Sequence, residues 1–333
     1  MTLLPELLAI FAAFAGFSIA SYIRNKKRSN QHLVCHVGSD CGAVVHSDFS
    51  KFLGAPVELL GMLYYGLTAV GHGILLAFPN FLPEWSALFL LTLSLVGFLF
   101  SAYLIFIQAF ALKQWCTWCI FSACLCTVIF GSALFSFGSN MVFLLAENKS
   151  IIVMIHAVAM AVGLGAATLT DIFFFKFLKD FKISEGEADV MRSLSQVIWF
   201  ALAIVVATGL GLFIPEASVL TASSKFLVKV IVVLVIIANG AVLNLYITPR
   251  LSQISFGQAH NHKPGELHHI RKVAFALGGI SITSWYTAFL LGSLRSIPLP
   301  FVSVLALYLA VLAIGIIGSQ VMERAFSKKA FED

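Results

Sequence analysis

Cys116-Thr-Trp-Cys119 stands at the head of an apolar run, Ile120-Phe-Ser-Ala-Cys-Leu-Cys-Thr-Val-Ile-Phe-Gly-Ser-Ala-Leu-Phe-Ser-Phe137. No Lys, Arg, Asp or Glu interrupts motif or run. Together they are long enough to cross a hydrocarbon core of ~30 Å. The stretch therefore predicts a membrane helix that begins on two thiols. At a helix start the dipole and the free backbone N–H groups stabilise a thiolate and lower its pKa. A two-residue spacing lets both sulfurs close a disulfide within one turn, which suits a redox switch.

The rest of the chain extends this reading. Of its 333 residues 59% are hydrophobic and 11% are charged, against roughly 25% charged in a soluble domain. Apolar runs near 3–23, 57–78, 85–110, 115–137, 151–175, 194–214, 225–247, 273–294 and 301–321 predict about nine spans. The fold class is an all-α integral membrane protein, and membrane lipid is its surrounding partner. Met1 to Tyr22 lacks a basic leading region and is followed by Arg24-Asn-Lys-Lys-Arg28, which reads as a first span rather than a cleaved leader. The net charge of +5 comes from short clusters between spans, so nucleic acid is not expected as a partner.

Nine spans put the cysteine-bearing segments, the loops at 176–193 and 248–272 and the C-terminal tail on one side. That side carries 17 of the 21 Lys and Arg, the others being Lys149, Lys225, Lys229 and Arg295. By charge bias the cysteines face the cytosol.

A second cysteine pair, Cys35-His-Val-Gly-Ser-Asp-Cys41, occupies a polar loop with Gly38 inside it and Gly42 after it. The span count brings it to the same membrane face as Cys116 and Cys119. A mobile disulfide beside a fixed CxxC suits a redox relay. Four cysteines in two pairs also suit a structural zinc. The rival to an enzyme is a membrane transporter or metal-binding protein that uses the cysteines as ligands. Cys124 and Cys126, inside the apolar run, read as small packing residues.

The stretch from Cys41 through Val44, Ser47 and Phe49, then Gly54, Pro56, Gly61, Tyr64 and Tyr65, then Cys116, Trp118 and Cys119 resembles the vitamin K epoxide reductase (VKOR) family. The resemblance covers about 1–137. It implies a four-helix bundle over 1–138 enclosing a quinone, of menaquinone or ubiquinone type; the apolar runs themselves place about five further spans over 150–333. It further implies catalytic roles for four cysteines. Cys35 and Cys41 would be the shuttle pair that accepts electrons from a separate thioredoxin-like protein. Cys41 would bridge transiently to Cys116. Cys116 and Cys119 would be the redox centre, with Cys119 and Ser47 at the quinone. The implied activity is membrane thiol:quinone oxidoreduction that promotes disulfide formation. The family usually places its cysteines on the non-cytosolic side, opposite to the charge bias. Glu58 and Ala123 depart from the family pattern, and the latter replaces a tyrosine of animal members. Quinone reduction is therefore expected rather than reduction of the vitamin K epoxide.

No family is suggested by 150–333. His156, Asp171 and, in the first half, His72 stand inside or near spans, where ionisable groups are costly. Asn239 and Asn244 suit hydrogen bonds between helices. His260 and His262, with His268 and His269, form a histidine-rich loop. Ser184-Glu-Gly-Glu187 reads as the start of an amphipathic surface segment.

Overall fold

The computed structural model describes residues 3–35, 40–78, 85–138, 140–177, 185–247 and 266–329. The turn at 79–84, the loop holding His260 and His262, Ser184 and the side chains of His268 and His269 lie outside the described residues.

Among the described residues nine helices are long and apolar enough to cross a membrane. They stay apolar on their outer faces. Phe11 and Phe14 of the first helix, for example, are 69% and 62% exposed, which suits a lipid surround. The chain divides into two compact units, Met1–His156 with Ala203–Pro215, and Ala157–Leu202 with Glu216–Asp333.

The first unit holds α1 (Leu3–Arg28), a short α2 (Cys41–Val45), α3 (Val57–Ala77), α4 (Trp85–Ile107), α5 (Thr117–Phe137) and α6 (Met141–Glu147). Helix α1 packs on α3 and α5, and α4 packs on α5 and α3. This is the expected four-helix bundle. The buried face of α1 is built from small residues, Ala9, Ala12, Ala13, Gly16 and Ala20. Their spacing of three and four lets backbones approach closely, the usual contact between membrane helices. Tyr65 of α3 fills the space above Gly16, where any Cβ would meet its ring.

Between α2 and α3 the chain makes a small hairpin, β1 (Lys51–Phe52) antiparallel to β2 (Ala55–Pro56). Leu53 and Gly54 turn it, both at positive φ, 48° and 83°, as a two-residue type I′ loop requires. Pro56 stands at the N-cap of α3. Glu58 pairs with Lys27 of α1 at 3.3 Å, which accounts for an acidic residue at this place.

The second unit takes its described residues from α7 (Lys149–Phe177), α8 (Glu185–Phe213), α9 (Ala217–Thr221), α10 (Ser224–Val242), α11 (Glu266–Ser293) and α12 (Phe301–Lys329), the first turns of α7 and the last of α8 belonging to the first unit. Helices α10, α11 and α12 pack on one another. Helix α8 starts well before the apolar run at 194. The amphipathic segment is thus the front of the span and not a separate surface helix, because backbone hydrogen bonding continues past the apolar window. For the same reason α7 extends to Phe177, and α6 lies between the apolar runs that end at 137 and begin at 151. Asn239 donates to the Leu277 carbonyl at 3.1 Å, and Asn244 accepts from Ser195 at 2.8 Å, so both asparagines do tie helices together. His156 bonds Thr208 at 2.8 Å within the first unit.

Candidate active site

Helix α4 ends in a wider π turn, Gln108–Leu112, closed by Lys113 in the left-handed region. The loop that follows delivers Cys116 to the N-cap of α5. Two contacts hold Cys116 there. Its amide N–H donates to Gln108 Oε1 at 2.9 Å, with Gln108 itself buried. Its sulfur accepts from the Cys119 N–H at 3.4 Å. Donation from the Cys119 thiol, and then from the Cys119 and Trp118 N–H groups, lowers the Cys116 pKa against the opposing effect of burial. Cys116 is fully buried, whereas Cys119 is partly open.

The second pair is reached from α1. Cys35 and Cys41 are joined in a disulfide. Cys41 does not lie in a loop as expected. It opens α2, whose N-cap Asp40 accepts from the Ala43 N–H at 2.9 Å. Trp118 links the two pairs: its indole N–H donates to the Val34 carbonyl at 2.9 Å, and its ring lies 5.0 Å from that of Tyr22.

These contacts gather all four cysteines into one packed cluster. Ile23, Cys41, Val44, Val45 and Cys116 form its buried centre, and Cys35, Trp118 and Cys119 pack against it. The arrangement sets a disulfide beside a dithiol whose buried member has a lowered pKa, which is what exchange between two pairs requires. Cys116 and Cys119 are free thiols. Ser47 stands just beyond α2 and donates to the Val44 carbonyl at 2.7 Å, so it closes the end of the short helix. Cys124 faces outward, and Cys126 is buried against the Tyr65 hydroxyl at 3.3 Å.

Sequence reasoning missed Gln108, whose only signal is a polar amide at the end of an apolar run. It also missed the partner of His72, which is Glu6 at 2.6 Å.

No curated protein and no solved structure matches the chain. A family model does match its N-terminal part, while the C-terminal half has no such match. Residues 7–134, which contain all four clustered cysteines and the four bundle helices except the first turn of α1 and the last of α5, match the Vitamin K epoxide reductase family.

Proposed function

We propose that the bundle is a membrane thiol:quinone oxidoreductase that passes electrons inward through two cysteine pairs. The observation that carries this reading is the single cluster holding a Cys35–Cys41 disulfide against the Cys116 and Cys119 thiols. A reduced thiol protein, of thioredoxin-like type, reduces Cys35–Cys41 by exchange and leaves oxidised. When Cys116 and Cys119 are themselves oxidised, the Cys41 thiolate attacks the Cys116 sulfur and Cys119 leaves as a thiolate. Cys35 then attacks Cys41, which restores the Cys35–Cys41 disulfide and frees the Cys116 thiolate. The observed pairing corresponds to the state that follows this step.

The residues fit a quinone. Cys119 is the less buried residue of the CxxC. The Tyr64 hydroxyl is buried beside Cys126 and Thr68, a donor suited to a quinone oxygen. When bound, a quinone of menaquinone or ubiquinone type accepts two electrons and two protons. Cys116 and Cys119 give up those electrons, shed their protons and close to a disulfide. In this reading Ser47 and Cys119 border the quinone. The functional division is 1–138 for this redox domain and 150–333 for a helical domain of separate role.

The metal-ligand reading has less support, since among the described residues no group of three or more His, Cys, Asp or Glu is placed to hold an ion. Sidedness follows the charge bias in this proposal, with the cysteines on the cytosolic side. Purified protein supplied with a dithiol should reduce a short-chain quinone, and Cys119→Ala should abolish this. Full activity in Cys119→Ala, or stoichiometric zinc on all four cysteines, contradicts the proposal.

A further inference from the structure

The buried residues of α3 are Tyr65, Thr68, His72 and Leu75. Three of the four are polar, and they follow one face of a helix that crosses the bilayer. A membrane helix gains nothing from a polar interior stripe unless the groups are used or fully paired. This stripe is not fully paired. His72 Nδ1 lies 2.6 Å from Glu6 Oε2, with the two residues 0% and 2% exposed. His72 Nε2 is buried and without a hydrogen-bond partner.

The position of the pair is as informative as the open nitrogen of His72. Glu6 lies in the first turn of α1, and the cysteine cluster begins at Ile23 near its other end. The separation is about 25 Å along the helix at ~1.5 Å per residue. The pair therefore sits toward the membrane face opposite the cysteines. Around it, α1 brings Glu6 and α5 brings Ser136, which hydrogen-bonds Glu6; Leu90 and Leu91 of α4 pack with Leu75 and Ala133, three residues from His72 and Ser136. Toward the cysteines the stripe continues through Thr68 to Tyr64 and Tyr65, whose rings are 5.0 Å apart. The Tyr65 hydroxyl contacts Ser122 at 2.7 Å and Cys126 at 3.3 Å. Ser122 stands one turn from Cys119. Groups at 72, 68 and 64 stand on one face at a rise of about 6 Å per step, and the Thr68 hydroxyl donates to the Tyr64 carbonyl at 2.8 Å. A pair that merely tied α1 to α3 gains little over apolar packing, because desolvation offsets the attraction.

We propose that Glu6 and His72 form a proton-binding site that feeds quinone reduction from the membrane face opposite the cysteines, by way of Thr68 and Tyr64. The proposal rests on the oxidoreductase reading above. In the balanced step Cys116 and Cys119 lose two electrons and two protons and gain an S–S bond. The quinone gains the two electrons and two protons. One of those protons comes from the far face through His72 and Tyr64, and is replaced at Glu6 from that face. One thiol proton is released at the cysteine face in its stead.

The test uses full-length protein sealed in vesicles that enclose a pH-sensitive dye, with potassium and valinomycin to discharge any membrane potential. A membrane-impermeant phosphine added outside drives only those molecules whose cysteines face outward, with a short-chain quinone as acceptor. The lumen should lose about one proton per quinone reduced, half of the two-proton requirement. Glu6→Gln and His72→Gln should lose this signal and slow turnover by about 10²-fold, the scale of a lost proton donor. In quinone-free protein Glu6→Gln should move the His72 imidazole nitrogen NMR signals, because it removes the carboxylate at 2.6 Å. Quinone reduction by the unaltered protein at constant lumenal pH overturns the proposal, whether or not the variants fold. His72 nitrogen signals left unchanged by Glu6→Gln also overturn it. No quinone reduction at all overturns the oxidoreductase reading, and the proposal with it.

Discussion

Replacing Gln108 by Leu isolates the contact that seats Cys116. The Cys116 amide donates to Gln108 Oε1 at 2.9 Å, and the two residues are 0% and 2% exposed. Leucine has nearly the same volume, so the change opens little cavity and removes chiefly the acceptor. An amide N–H left buried and unpaired costs ~1–3 kcal/mol. Spent on local opening of the α5 N-terminus, that is about 5–150-fold in the opening equilibrium. The Gln108 carbonyl still accepts from the Gln114 N–H at 3.2 Å, so the π turn itself should persist. Hydrogen exchange at the Cys116 amide reads the effect directly, with exposed Gln114→Leu as the control. Protection should fall in Gln108→Leu and stay unchanged in Gln114→Leu. Equal protection in Gln108→Leu and the unaltered protein would refute the claim that this side chain holds the thiol in place.

Gly16→Ala drives a methyl group into the Tyr65 ring and should lower stability by about 1–3 kcal/mol, the usual cost of overpacking, seen as a lower Tm in detergent. The lowered Cys116 pKa predicts alkylation that persists below the ordinary thiol range and falls only as pH drops through the Cys116 value. The associated stability is present above the unfolded-state thiol pKa and is lost through the same lower window. Cys119→Ala removes the largest lowering influence and should move this alkylation profile to higher pH. Impermeant thiol reagents applied to intact cells should leave reduced Cys35 unmodified if the cysteines face the cytosol, and efficient labelling contradicts that orientation.

The spans were legible because each needs a long apolar run, and Cys116 was legible as a helix start because polar loop meets apolar helix there. The meeting of the two cysteine pairs on one face followed from counting spans, and their contact with each other is set by Trp118 bonding Val34. Other features were hidden for definite reasons. The early start of α8 is amphipathic and leaves no long apolar run. Gln108 matters through a backbone amide eight residues away, which no motif encodes. Glu6 and His72 are 66 positions apart, and each alone looks like an isolated polar residue in a span. The role of Glu58 became clear only with Lys27 beside it.

The central claim is that electrons reach the quinone from Cys116 and Cys119. A single turnover of a Cys35→Ser, Cys41→Ser double variant tests it most directly. The variant is fully reduced, freed of reductant and mixed with excess quinone without air. The account predicts one quinol per protein molecule and one new disulfide, Cys116–Cys119, found by peptide mapping. Quinol formed while both thiols stay reduced, or a Cys116–Cys119 disulfide formed without quinol, contradicts it.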